Sequence, residues 1–250
     1  MRKRSLCAGI LLVFCALARP VDGISQFNDT VNYHLNVAAT GNLNKTNTGS
    51  TYIFNNGIGF DINKKYVSLN SSVTYIYGRN TVIKTNDDVL AALNLDVLRS
   101  VQDFYYWGLA TYGKSFSLKV DHRLQTGAGV GYKVFDDPNI SLILSNGILF
   151  EATDLREVDQ HGRTEYETIR NSFRLKFHYV FRDFITLDAT NFLQNSFSEA
   201  DDYIVKVNTS VSIRLYKGLS LTTSFIYNKL NTINTENLLL SYGLTFDRFF

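Results

Sequence analysis

"TIRNSFRLKFHYVF", residues 168–181, carries the pattern that decides the fold. Ile169, Phe173, Leu175, Phe177, Tyr179 and Phe181 fall on one side of a period of two, and Arg170, Arg174, Lys176 and His178 fall on the other. A strand turns successive side chains to opposite faces, so this stretch predicts a strand with one apolar and one cationic face. The alternation recurs on both sides of it. In residues 30–40, Val31, Tyr33, Leu35, Val37 and Ala39 oppose Asn32, His34 and Asn36. In residues 66–78, Val67, Leu69, Val73, Tyr75 and Tyr77 oppose Ser68, Asn70, Ser72 and Thr74. Residues 123–135 set Leu124, Thr126, Ala128, Val130, Tyr132 and Val134 against Gln125 and three glycines. Residues 203–216 set Val205, Val207, Val211, Ile213 and Leu215 against Lys206, Asn208, Ser210 and Arg214.

These runs are about ten residues long, the span of a strand crossing a bilayer at about 45°, whereas soluble sandwich strands are about 5–6 residues. Composition agrees. Aromatics make up 14%, carried by Tyr 15 and Phe 18, and Pro 2 leaves few breaks in the backbone. The runs number about twelve, centred near residues 35, 54, 72, 93, 108, 128, 146, 175, 188, 209, 223 and 244. Between them, short connections ("DINKK", "RSVQD", "DDPN", "FRD", "YKG") alternate with longer polar ones such as "GNLNKTNT" and "TDLREVDQHGRTE". An even strand count with alternating short and long connections predicts an all-β fold: a single antiparallel up-and-down transmembrane β-barrel. Residues 87–100 also show helical spacing at Leu90, Leu93 and Val97; the strand reading turns Val89, Ala91, Leu93, Leu95 and Val97 outward and leaves Asn94 and Asp96 inside. Aromatics near the short connections (Phe60, Tyr66, Tyr105, Trp107, Tyr132, Phe135, Tyr179, Phe181) predict an interfacial girdle.

Residues 1–23 read as a secretory signal peptide: Arg2, Lys3 and Arg4 precede an apolar run, Leu6–Ala18, too short to span a bilayer as a helix. Ala18 and Gly23 are both candidate cleavage sites; cleavage after Gly23, the favoured one, leaves the barrel domain as residues 24–250. Removing Arg2, Lys3, Arg4, Arg19 and Asp22 from 25 basic and 23 acidic residues leaves 21 against 22, about −1. The basic pI therefore stems largely from the signal, and nothing in the charge points to nucleic acid. Both cysteines, Cys7 and Cys15, lie in the signal, so the mature chain has neither disulfides nor thiolate sites.

The chain ends on "ENLLLSYGLTFDRFF" (residues 236–250), an alternating run that stops on an aromatic. A last strand that closes the ring against the first leaves no edge to cap. Tyr242, Leu244, Phe246 and Phe250 resemble the terminal signal read by the bacterial barrel-assembly machinery, with Arg248 departing from it. "TGNLNKTN" (Thr40–Asn47) and "QTGAGVGYKVFDD" (Gln125–Asp137) resemble the salt-induced outer-membrane protein family, a domain of unknown function; the likeness covers about residues 30–250. It implies a Gram-negative outer-membrane barrel and carries no catalytic residues.

No enzyme chemistry is legible. His34, His122, His161 and His178 are scattered without metal spacing, and Gly127, Gly129 and Gly131 alternate within a strand with no following Lys-Ser/Thr, thinning one wall rather than cradling phosphate. A barrel-type lipid hydrolase needs a lipid-facing His, and His34 and His178 fall on the polar face. No cofactor, metal or catalytic residue is expected; the expected partners are outer-membrane lipid, the assembly machinery and small ions or solutes. Five Asn-x-Ser/Thr sequons reflect an Asn-rich chain.

The polar face is the candidate site. Arg170, Arg174, Lys176, His178, Lys206 and Arg214, with Arg123 and Lys133, face Glu151 and Asp188, with Asp96 and Asp247. Barrels of about eight strands fill their interior, and those of about sixteen leave a water channel. At about twelve two readings stay open: the cations pair with Glu151 and Asp188 as a rigid plug, or they line a narrow pore with mild anion preference. A surface adhesin or receptor acting through the longer loops is the alternative function, with a barrel-type membrane lipid hydrolase ranked behind it.

Overall fold

The computed structural model describes residues 32–47, 49–64, 66–98 and 103–250; the signal-peptide reading and its cleavage site lie outside the described residues. Twelve strands follow in order: β1 (Tyr33–Lys45), β2 (Ser50–Lys64), β3 (Val67–Asn80), β4 (Lys84–Leu98), β5 (Phe104–Ser115), β6 (Val120–Asp137), β7 (Ile140–Leu155), β8 (Glu165–Phe181), β9 (Ile185–Ser196), β10 (Tyr203–Tyr216), β11 (Leu219–Leu230) and β12 (Thr235–Phe249). Each pairs antiparallel with its sequence neighbours, and β12 returns to β1, giving a closed barrel. A single 3-10 turn, Asn231–Ile233, joins β11 to β12. Closure leaves no edge strand, the condition for burying a sheet in hydrocarbon.

Residues 84–98 are strand, not helix, laddered to β3 from Val67↔Val97 and to β5 from Leu98↔Tyr105. Helix there would strip backbone partners from both neighbours, which outweighs the local propensity of Ala91 and Ala92. The contrast between connections is weaker than the sequence predicts. One end carries the connections after β1, β3, β5, β7, β9 and β11, residues 81–83, 116–119, 156–164, 197–202 and 231–234 among them; the other carries those after β2, β4, β6, β8 and β10, residues 138–139, 182–184 and 217–218 among them. Several of the expected long segments are partly strand, because "GNLNKTNT" continues the ladder to Lys45 and residues 84–88 re-enter it, whereas residues 156–164 and 197–202 stay loop. The first group marks the loop end below; the second, with Asn32 and Phe250, marks the turn end.

The register confirms a two-faced wall. Val73, Leu93, Val130, Phe150, Phe173, Val211, Leu221 and Leu244 are exposed on the outer face, a contiguous apolar belt suited to lipid. Aromatics ring the turn end: Tyr33 stacks between Phe60 (6.2 Å) and Phe250 (5.9 Å), and Phe104 lies 4.8 Å from Tyr132. Tyr105 and Trp107 do not join this ring. They are 3% and 5% exposed and point inward, while Phe104 and Tyr106 take the lipid face. Parity decides this: Trp107 pairs with Gly129 and Tyr105 with Gly131, and both glycines sit on the inner face.

Candidate functional site

The barrel interior is filled on one side and open on the other. The filled side lies between β5 and β8. Trp107 lies flat against the inner wall where Gly129 of β6 faces Gly147 of β7. A Cβ at Gly129 would come 2.6 Å from the Trp107 ring, and one at Gly147 would come 2.4 Å from it. These glycines do not thin the wall into free space; the indole occupies the room they leave. Leu149, Tyr105 and Trp107 form an apolar core inside the barrel, flanked by Leu109 and Ile143. Arg174 covers it, its guanidinium 5.3 Å from the Trp107 ring centroid, with bonds to Ser145 Oγ (2.9 Å) and Tyr105 OH (3.2 Å).

Toward the loop end the same sector holds a buried charge network. Arg170 has no exposed surface and donates to both Glu151 oxygens at 3.0 Å, to Asp202 Oδ2 at 2.8 Å and to Asp202 O at 3.1 Å. Tyr166 OH and Thr153 Oγ1 also donate to Glu151, and Arg123 Nε sits 3.7 Å from it. Asp202 lies in the β9–β10 connection and accepts Thr232 Oγ1 of the 3-10 turn at 2.5 Å. Above the network, Val120, Leu155, Tyr166, Ile204 and Leu230 form a second apolar cluster that seals this part of the loop end. Burying three ionised groups is tolerable because Arg170 donates to both carboxylates, which take their remaining bonds from neutral donors.

One chord divides the interior. Gln125 of β6 donates to Glu151 Oε2 (2.5 Å) and to Gln194 Oε1 of β9 (3.0 Å), and its own oxygen accepts Lys206 Nζ of β10 at 3.3 Å. Beyond this chord lies a cavity of about 500 Å³ between the walls β1–β5 and β9–β12. Amide and hydroxyl side chains, including Asn36, Asn55, Thr74, Asn208, Asn228 and Asn237, are spread through a lining that also holds Ile76, Leu118 and Ile226, with Lys206 and Asp88 on opposite sides.

The structure therefore separates the residues that the sequence grouped. Lys206 and Asp188 line the cavity; Asp188 lies toward the turn end, where His178 Nδ1 is 2.7 Å from it. Glu151, Arg170 and Arg174 are packed into the filled sector. Lys176, opposite Ile143, and Arg214, opposite Ser220, face inward at the margins. The sequence did not single out Asp61 or Asp88, although their inward parity was readable. His34 bridges Asp61 (2.8 Å) and Asp247 (3.0 Å), tying β1 to β2 and β12 at the seam. Asp202 could not have been found by parity, since it lies outside any strand. Tyr242, Leu244 and Phe246 face outward, and Phe250 exchanges two backbone bonds with Tyr33 at 2.9 Å each. His161, Glu199 and Asp201, from two connections, hold their ligand atoms within 4.8 Å of one another at the exposed loop end, a grouping that sequence spacing does not reveal.

Comparison with known proteins gives the fold a context. The translocator domain of the autotransporter NalP from Neisseria meningitidis superposes with a TM-score of 0.52 at 12% identity, covering 89% of this chain and 90% of that one. The NanC porin superposes with a TM-score of 0.54 at 8% identity, covering 85% and 98%. At such identity the likeness is one of fold. Among curated proteins no sequence matches. A family model described as a protein of unknown function, DUF481, matches residues 32–244, from just before β1 into β12; its description names no salt response, and the chain belongs to that family.

Proposed function

We propose that this chain, exported by the signal in residues 1–23, is a Gram-negative outer-membrane barrel working as a narrow passive channel through the open side of its lumen. The observation that carries this reading is the cavity of about 500 Å³ with amide and hydroxyl side chains on both walls. A barrel serving only as a scaffold gains nothing from leaving amides and hydroxyls around an unfilled space, since apolar packing would stabilise it more. The apolar belt and aromatic ring support the membrane setting, and the NanC porin supplies a channel precedent on a similar fold.

The test is planar-bilayer recording of the purified mature chain. Discrete conductance steps are expected, with anion selectivity that weakens or reverses in Lys206→Glu. A silent bilayer, or selectivity indifferent to Lys206, refutes the channel. A surface receptor is the second reading, favoured by the bracing of the β7–β8 connection: Asp159 accepts the backbone N–H of His161 and of Arg163 at 2.8 Å, and the Arg163 guanidinium at 2.9 Å. Excising residues 156–164 should leave conductance steps in place if the channel reading holds and should abolish cell or ligand adhesion if the receptor reading holds.

A further inference from the structure

We infer that Lys206 and Arg123 form an oxyanion subsite in the lumen cavity, taking one anionic group of a small polyhydroxylated solute such as a sugar acid or sugar phosphate. This rests on the channel reading, since it names what that cavity would select. Three observations lead to it.

The first is a charge imbalance. The buried network beside the cavity holds three cations, Arg123, Arg170 and Lys206, against two carboxylates, Glu151 and Asp202. Arg170 contacts both carboxylates, at 3.0 and 2.8 Å, and Arg123 approaches Glu151 at 3.7 Å. Lys206 has no carboxylate within ion-pair distance among the described residues. Its ammonium donates to the neutral Gln125 Oε1 at 3.3 Å, which leaves donors to spare at the cavity wall. Arg123 lines the same cavity, 8% exposed, and its Nη2, itself buried, has no hydrogen-bond partner among the described residues. Surplus positive charge in a partly desolvated site attracts an anion far more strongly than the same charge in water.

The second observation separates an anion from a zwitterion. Asp88 stands on β4, diametrically opposite β10 in a ring of twelve, and could in principle hold an ammonium. Its oxygens are already used. Oδ1 accepts Ser115 Oγ (2.9 Å) and Ser117 N (3.0 Å), and Oδ2 accepts Ser117 Oγ (2.7 Å) and Asn86 Nδ2 (3.1 Å). Four donors satisfy the acceptor capacity of a carboxylate, so Asp88 offers no free acceptor opposite Lys206; the other lining carboxylate, Asp188, lies on β9 toward the turn end with His178 Nδ1 2.7 Å from it.

The third is the remaining lining. Asn208 and Asn228 each present both a donor and an acceptor, the bidentate pairing that vicinal hydroxyls match, while Asn36 and Asn237 already donate to Asp247 and Ser117. A volume of about 500 Å³ falls within the range of small-molecule sites.

The experiment is binding to the detergent-solubilised mature chain, read by calorimetry or saturation-transfer NMR, with gluconate, glucose 6-phosphate and glucose as probes. Because charge-assisted hydrogen bonds contribute about 1.5–3 kcal/mol, the anions should bind at least about tenfold more tightly than glucose, and Lys206→Gln should remove that margin. Lys206→Arg should retain it, and Asp88→Asn should leave gluconate affinity within about twofold, far below the tenfold that 1.4 kcal/mol represents. Preserved heat-modifiable gel mobility shows that each variant is folded. The ratio of gluconate to phosphate affinity tells which anionic group the subsite prefers. Equal binding of glucose and gluconate, or full gluconate affinity in folded Lys206→Gln, overturns the inference. Binding needs no conduction, so a silent bilayer beside normal gluconate binding refutes the channel and spares the subsite.

Discussion

Arg170→Met is the sharpest test of how the lumen is held. The substitution keeps much of the side-chain volume and removes the guanidinium between Glu151 and Asp202, both almost without solvent exposure. The two buried carboxylates then keep one nearby cation, Arg123 at 3.7 Å from Glu151, beside neutral donors only: Gln125, Thr153 and Tyr166 on Glu151 and Thr232 on Asp202. Removing one member of a buried ion pair costs about 3–5 kcal/mol, and the surviving Arg123 puts this case toward the lower end. That lowers the folded-to-unfolded ratio by about two to three orders of magnitude. The assay is urea unfolding in detergent, followed by the fluorescence of Trp107, the single tryptophan in the sequence, and by heat-modifiable mobility. Adding Glu151→Gln to Arg170→Met should recover stability, because one stranded charge disappears while the volume is kept. A loss below about 1 kcal/mol in the single variant, the range of an exposed pair, would refute the view that this network is dry and structural.

Other outcomes follow from the same geometry. Gly147→Val drives a side chain into Trp107 and should cost about 1–3 kcal/mol, with a shifted emission spectrum reporting the displaced indole. Deleting Phe250 removes two backbone bonds and a ring contact at the seam, and should lower the yield of heat-modifiable barrel in refolding and in cells. Asp159 lies in the β7–β8 connection, beyond the strands; partial burial opposes its charge, but backbone N–H groups of Arg163 and His161 and the Arg163 guanidinium outweigh it and hold the carboxyl below its ordinary value. A depressed pKa stabilises above the unfolded value of about 3.9 and is lost as pH falls through the folded one, so the loop should stay ordered at neutral pH and loosen only below about pH 4. A spin label at Gln160→Cys should show that mobility change, and the Asp159→Asn variant should be mobile across the whole range.

Much of the wall was legible because strand periodicity is local. Parity alone turned Phe173 outward and Arg174 inward, and it placed Gln125, Lys206 and Arg214 inside. It also contained the answer for Tyr105 and Trp107. Proximity to a short connection suggested a girdle, yet their register against Gly131 and Gly129 puts them in the lumen. Position along a strand gives depth, and parity gives side; where the two cues conflict, side is set by the hydrogen-bonded pairing. Connection lengths were less legible, since polar residues pair as well as apolar ones once a strand leaves hydrocarbon.

By itself the sequence determined the number, order and two-faced character of the strands, and a ring closed by its ends, because each depends on side chains two apart and on neighbours in the chain. Only the tertiary structure decided what the inward residues do. His34 meets Asp247 across 213 positions, and Gln125 reaches Lys206 across 81. The partners that packed Arg170 into a wall and left Lys206 facing a cavity are set by distances across the closed barrel, which no local period encodes.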